Sequence, residues 1–233
     1  ILLLVVSGFT PTLYLRPLFK PAPMPGYLFL HGTVLTSWFV WFCLQTLLIQ
    51  SRRTALHRRL GVVGAVLAAA VPFAGLLATS GLPGRVAASG IALDADASAF
   101  GIGVSGTVIR FISDVVWGNL GAAVSFALLA WTGILMRRRI AVHKRLMLLA
   151  TITVLGPALA RLARLPFFGG EQGPFTLVVL LALTAAVLVH DVVTLRKIHP
   201  ATAFGVALGV GLNIVCTMIA VTDTGRGLVR WLQ

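Results

Sequence analysis

A chain of 233 residues that is 58% hydrophobic and only 11% charged lies far from soluble domains, in which about a quarter of residues carry charge. Its mean hydropathy of +0.97 marks a membrane protein. The net charge of +13 does not call for nucleic acid, because the bases sit in short connections between apolar runs rather than along one solvated face.

The apolar runs fill nearly the whole length, so we expect one domain over residues 1–233, an all-α polytopic transmembrane helical bundle. The first stretch, ILLLVVSGF, is shorter than the roughly 20 residues that cross a hydrocarbon core. It reads as the outer end of a truncated span, with a signal-peptide remnant as the alternative. Six further runs follow, at residues 27–49, 60–80, 109–136, 146–160, 175–194 and 201–222. The expectation is therefore about seven spans built from three helical hairpins. Cys43 and Cys216 lie inside apolar runs and imply no disulfide.

Proline and glycine punctuate one set of connections: RPLFKPAPMPG before the second run, SGLPG after the third and PFFGGEQGP before the sixth. The longest, residues 81–107, contains GIGVSG at Gly101–Gly106. That spacing holds a pyrophosphate only between a strand and a helix, and no strand pattern surrounds it, so it reads as a flexible approach to the next span. Asp94 and Asp96 in the same connection read as a solvated turn.

The other connections are basic. Arg52, Arg53, Arg58 and Arg59 follow the second span, Arg137, Arg138, Arg139, Lys144 and Arg145 the fourth, and Arg196 and Lys197 the sixth. The positive-inside rule then places all three in the cytoplasm, against anionic lipid headgroups. The resulting expectation is a bacterial inner membrane protein with its N-terminus inside and C-terminus outside.

Each basic connection also carries a histidine: His57 in RTALHRRL, His143 in RIAVHKRL and His199 in RKIHP. Neighbouring cations disfavour imidazolium, leaving neutral rings able to bind haem iron or relay protons. If the hairpins pack in a ring, the three histidines lie at one depth, and His190 with Asp191 can join them. Haem b would take two of the rings as axial ligands with arginines facing its propionates. A zinc site lacks ligands. The plainer alternative is topological, with bases anchoring the loops and the rings at the interface.

A second polar set is expected in the outer half. Arg110, Asp114, Trp117 and Gly121 form one helical stripe, and His31, Trp38 and Gln45 recur every seven residues. Together with Arg161, near Arg164, they suggest a pocket of His31, Asp114, Arg110 and Arg161 above Trp38. It would serve either as an interhelical hydrogen-bond cluster or as a site for a quinone head, a carotenoid end group, a lipid headgroup or a small anion. Gly156-Pro157 should kink the fifth span, and Gly205-x3-Gly209 is a close-packing signal.

The order RPLF, HGTVLTSW with Gln45 beyond it, LHRRLG, Asp114, HKRLMLLATI with Arg161, HD and IHPAT resembles a family of uncharacterised bacterial multi-pass inner-membrane proteins. The likeness spans nearly all of the chain except residues 81–107 and implies topology without chemistry. A looser similarity links the histidine-basic turns to helical haem-binding membrane proteins and oxidase-assembly proteins.

Hydrolase signatures such as Gly-x-Ser-x-Gly or His-Glu-x2-His are absent from the sequence. The expected function is a non-catalytic integral component of an electron-transfer membrane or complex. It would bind haem b, a quinone or a pigment, or pack as an accessory subunit of a larger membrane protein complex. A small-solute or proton-coupled transporter and an intramembrane enzyme acting on lipid or isoprenoid are the alternatives.

Overall fold

The computed structural model describes residues 1–19, 24–100, 106–165, 168 and 171–232, with the backbone alone at residues 99 and 100. Among the described residues the chain is helical, apart from one isolated bridge between Asp96 and Thr107. Helix α1 (Leu2–Phe9) continues into a π-helical turn at Thr10–Tyr14, and α2 is Arg16–Phe19. The longer elements are α3 (Gly26–Gln50), α4 (Thr54–Ala88), α5 (Val108–Leu135), α8 (Gln172–Leu195) and α9 (Pro200–Ala220). Shorter helices α6 (Ile140–Thr153), α7 (Gly156–Ala163) and α10 (Asp223–Trp231) complete the set.

Five helices, α3, α4, α5, α8 and α9, are long and apolar enough to cross a membrane, and α6 with α7 makes a sixth if the pair is one span bent by 43°. The stretch Leu2–Tyr14 is apolar but shorter. The bend lies at Gly156-Pro157: Pro157 has no N–H for the preceding turn and its ring collides with the carbonyl four residues back, so α6 stops and α7 restarts.

Helix α4 outruns its sequence expectation. The SGLPG stretch, expected to begin the long connection, is helical, and the connection starts only at Ser89. Inside hydrocarbon an unwound backbone leaves several unpaired groups where Pro83 leaves one. Arg85 directs its guanidinium nitrogens to the Ala78 carbonyl at 3.4 and 3.5 Å. Its Nη1 also donates to the Tyr27 hydroxyl, with the guanidinium carbon 5.4 Å from the Tyr27 ring centre, tying the end of α4 to the start of α3. Tyr27→Phe keeps the ring and removes the acceptor, so a loss of about 1 kcal/mol is expected in equilibrium unfolding.

Helix α3 packs on α4, α4 on α5, and α5 on α6. Although the α8–α9 turn is short, α9 lies mainly on α5 and α6, while α7 sits between α1 and α8. The core joins Trp38 and Phe39 to Phe126, Leu129, Leu146, Leu155 and Leu159, and Trp38 meets Phe126 edge to face at 4.9 Å. Small residues let the backbones approach: a Cβ on Gly205 would stand 2.5 Å from Leu149 Cδ1, and one on Gly121 would stand 3.1 Å from Cys216 Sγ. A second cluster, Val108, Ile109, Ile112, Val116 and Val229, seats α10 against α5.

Candidate functional site

Side-chain contacts bring the three basic turns to one end of the bundle. The rings of His57, at the start of α4, and His143, at the start of α6, stand 6.4 Å apart between centroids, with planes inclined by 74°. Two residues along a helix turn through about 200°, so Arg145 leaves α6 on the face opposite His143. There its Nε donates to both carboxylate oxygens of Asp191 at 3.0 and 3.2 Å, and its Nη2 to Oδ1. Asp191 also accepts the His199 backbone N–H at 3.2 Å and the Thr202 hydroxyl. This clasp fastens the α8–α9 turn to α6.

Asp191 therefore spends its acceptor capacity on protein donors, and its side chain is 1% exposed. It closes a structural pair and does not reach towards His57 or His143. His199 caps α9, its Nδ1 accepting the Ala201 N–H at 3.1 Å, which puts its proton on Nε2. The His190 side chain is 61% exposed, with Nδ1 3.9 Å from Asp191 Oδ1. Of the four histidines expected near one cofactor, then, the contacts bring only His57 and His143 ring to ring.

A carbonyl acceptor orients the His143 ring. His143 Nδ1 lies 2.8 Å from the Gly133 carbonyl, which can only accept, so the proton is on Nδ1 and Nε2 carries a lone pair. His57 Nδ1 is buried without a partner. Both ends of the Gln45 side-chain amide and Trp41 Nε1 are likewise buried and unpartnered, and Trp41 Nε1 points at Gly64 on α4. Burying such groups unpaired costs about 1–3 kcal/mol each.

No protein-family model, curated protein or solved structure matches this chain. The geometry has to carry the functional argument.

At the opposite end, the outer polar set divides. Fourteen residues separate His31 from Gln45, about 21 Å along a helix, so Gln45 belongs to the histidine end. His31 bonds through Nδ1 to the Ala74 carbonyl at 3.1 Å and lies within electrostatic reach of Arg161. Arg161 stacks over the Phe9 ring at 4.6 Å and donates to the Pro157 carbonyl at 2.8 Å. Arg110 and Asp114 are exposed on α5, which packs on α4, α6, α9 and α10 while α7 packs on α1 and α8. Among the described residues no ion pair joins Asp114 to Arg110 or Arg161. Trp38 is fully buried between these ends.

In the connection ahead of α5, Asp94 pairs with Arg230 at 2.7 Å. Asp96 accepts the Ser98 N–H at 2.8 Å, a bond that holds its carboxyl below the usual carboxylate range. The GIGVSG motif falls, except for Gly106, outside the described residues. Two features escaped sequence reasoning: the Arg145–Asp191–Thr202 clasp, signalled by HD and HPAT, and a bond of 2.9 Å from Arg164 to Gln172, signalled by the polar EQ within PFFGGEQGP.

Proposed function

We propose that this protein is a non-catalytic integral component of an electron-transfer membrane and holds a metal-centred cofactor, haem b, between His57 and His143. One observation carries the reading: two half-buried rings with centroids 6.4 Å apart, His143 Nδ1 directed to the Gly133 carbonyl and His57 Nδ1 buried without a partner. Metal-binding histidines are held this way by carbonyl acceptors. With metal–nitrogen bonds of about 2.0–2.1 Å, two collinear imidazoles have centroids roughly 6 Å apart.

Haem is favoured over a bare ion by the surroundings. Arg52, Arg53, Arg58 and Arg59 flank His57, and Arg137, Arg138 and Arg139 precede His143, all exposed and suited to two propionates. Among the described residues no group of three or more metal-ligating side chains gathers, here or elsewhere. The basic turns would face the cytoplasm of a bacterial inner membrane, and the resemblance to a bacterial inner-membrane family rests on the same turns.

Arg52 turns the chain out of α3. It adopts a positive φ of 59°, a conformation costing a side-chain-bearing residue about 1–2 kcal/mol.

The absorption spectrum of protein purified from its membrane tests the reading. A Soret band at stoichiometric intensity is expected, and it should vanish in His57→Ala/His143→Ala while helical circular dichroism persists. A spectrum without that band, or a band surviving the double substitution, would reject these ligands.

One observation favours a second occupant class, a quinone or pigment tail. An apolar cleft of about 480 Å³ opens between α6, α8 and α9, with Thr153, Thr184, Asn213 and Thr217 among its apolar walls. Organic extraction with mass spectrometry would identify such a molecule independently of any Soret band.

A further inference from the structure

Away from the histidine end, two arginines converge without a counter-ion. Arg161 closes the last turn of α7 and Arg164 caps it, three residues apart and so neighbours on one helix face. The sequence holds six acidic residues, all within the described part of the chain: Asp94, Asp96, Asp114, Glu171, Asp191 and Asp223. None forms an ion pair with Arg161 or Arg164. Arg161 is partly buried and Arg164 exposed, and a desolvated cation with a second cation beside it is costly unless an opposite charge joins them.

The residues around them are donors awaiting an acceptor. Arg164 takes the Gln172 Oε1 at 2.9 Å, which turns the amide so that Nε2 is the free end. Gln172 is 9% exposed, yet that Nε2 has no partner. One helical turn further along α8, the Thr176 hydroxyl is also buried and unpartnered. Arg161 uses one nitrogen on the Pro157 carbonyl and rests on Phe9, leaving the rest of its donor fork unassigned.

We infer that Arg161, Arg164, Gln172 and Thr176 form a binding site for a phosphate oxyanion at the end of the bundle opposite the basic turns. Guanidinium forks match phosphate oxygens bidentately, and an amide N–H and a hydroxyl supply the remaining donors. The apolar walls of α1 and α8, including Phe9 and Phe175, suit a phosphate that carries acyl chains. The chemistry is shared by an anionic phospholipid headgroup and by free phosphate, which the test separates.

Protein in neutral detergent is titrated with short-chain phosphatidylglycerol, short-chain phosphatidylcholine and inorganic phosphate, following thermal stability and, for the lipids, retention by native mass spectrometry. Phosphatidylglycerol is expected to raise the melting temperature and to be retained about tenfold more strongly than phosphatidylcholine, whose choline cation the two arginines repel. Arg161→Gln/Arg164→Gln should abolish that preference, and Arg226→Gln/Arg230→Gln, which removes as much charge from exposed pairs with Asp223 and Asp94, should retain it. A response to inorganic phosphate equal to that for the lipid assigns the site to the free anion. Stabilisation by neither overturns the proposal, as does a preference unchanged in the double variant. Gln172→Leu, which removes no charge, should weaken the preference while leaving the helical content intact, and an unaltered preference in it removes Gln172 from the site.

Discussion

Arg145→Met and Asp191→Asn, each alone, are expected to destabilise the protein by about 3–5 kcal/mol, because each leaves the partner charge buried and uncompensated. The two side chains are 7% and 1% exposed, so water cannot replace the missing partner. The combined variant is expected to recover most of the loss. Methionine fills the arginine volume without charge, and asparagine keeps an oxygen for the Thr202 hydroxyl and the His199 N–H that now end on Asp191. Equilibrium unfolding in a lipid–detergent mixture checks this. Single variants within about 0.5 kcal/mol of the parent, the range of ordinary surface changes, would show that the clasp contributes nothing. A double variant as unstable as the singles would show that its geometry, rather than its charge balance, is what matters.

The clasp also explains why its motif could not be read alone. LHRRL and VHKRL look like copies, yet Arg59 is exposed and Arg145 is 6% exposed. What separates them is a carboxylate on another helix, 46 residues further along the chain, and a local pattern does not encode that partner. The histidines were more legible, since a ring one turn inside a helix start has few places to point once two such turns share an end. The apolar runs were the most legible: the 27–49 run became Gly26–Gln50 with one residue added at each end. Helix α4 was not, because Gly81, Pro83 and Gly84 break helices in water, whereas in an apolar surrounding unpaired backbone is the greater penalty. The stripes on α3 and α5 do not encode which helix each face meets, and the expected pocket of His31, Asp114, Arg110 and Arg161 needed α5 beside α7, whereas the two pack on different neighbours.

Gly8→Leu is expected to release α1 from the bundle. A Cβ at this position would drive into the Ala158 carbonyl oxygen, with the carbonyl carbon 3.0 Å and the Cα 3.3 Å away. These are backbone atoms of α7, which no rotamer change can move aside. Undocking would expose Val5, now 1% exposed, at a cost of about 1.5–3 kcal/mol for that side chain alone. It would also lift Phe9 from Arg161. Gly205→Ala is the contrasting case. Its Cβ would meet Leu149 Cδ1 at 2.5 Å, the far end of a flexible side chain, so about 1–3 kcal/mol of overpacking with the helices still docked is expected. Maleimide labelling of a Val5→Cys reporter distinguishes the two, with fast reaction expected beside Gly8→Leu and slow reaction beside Gly205→Ala. Slow labelling in both would mean that α7 yields to the new side chain and that α1 stays docked without the backbone contact at Gly8.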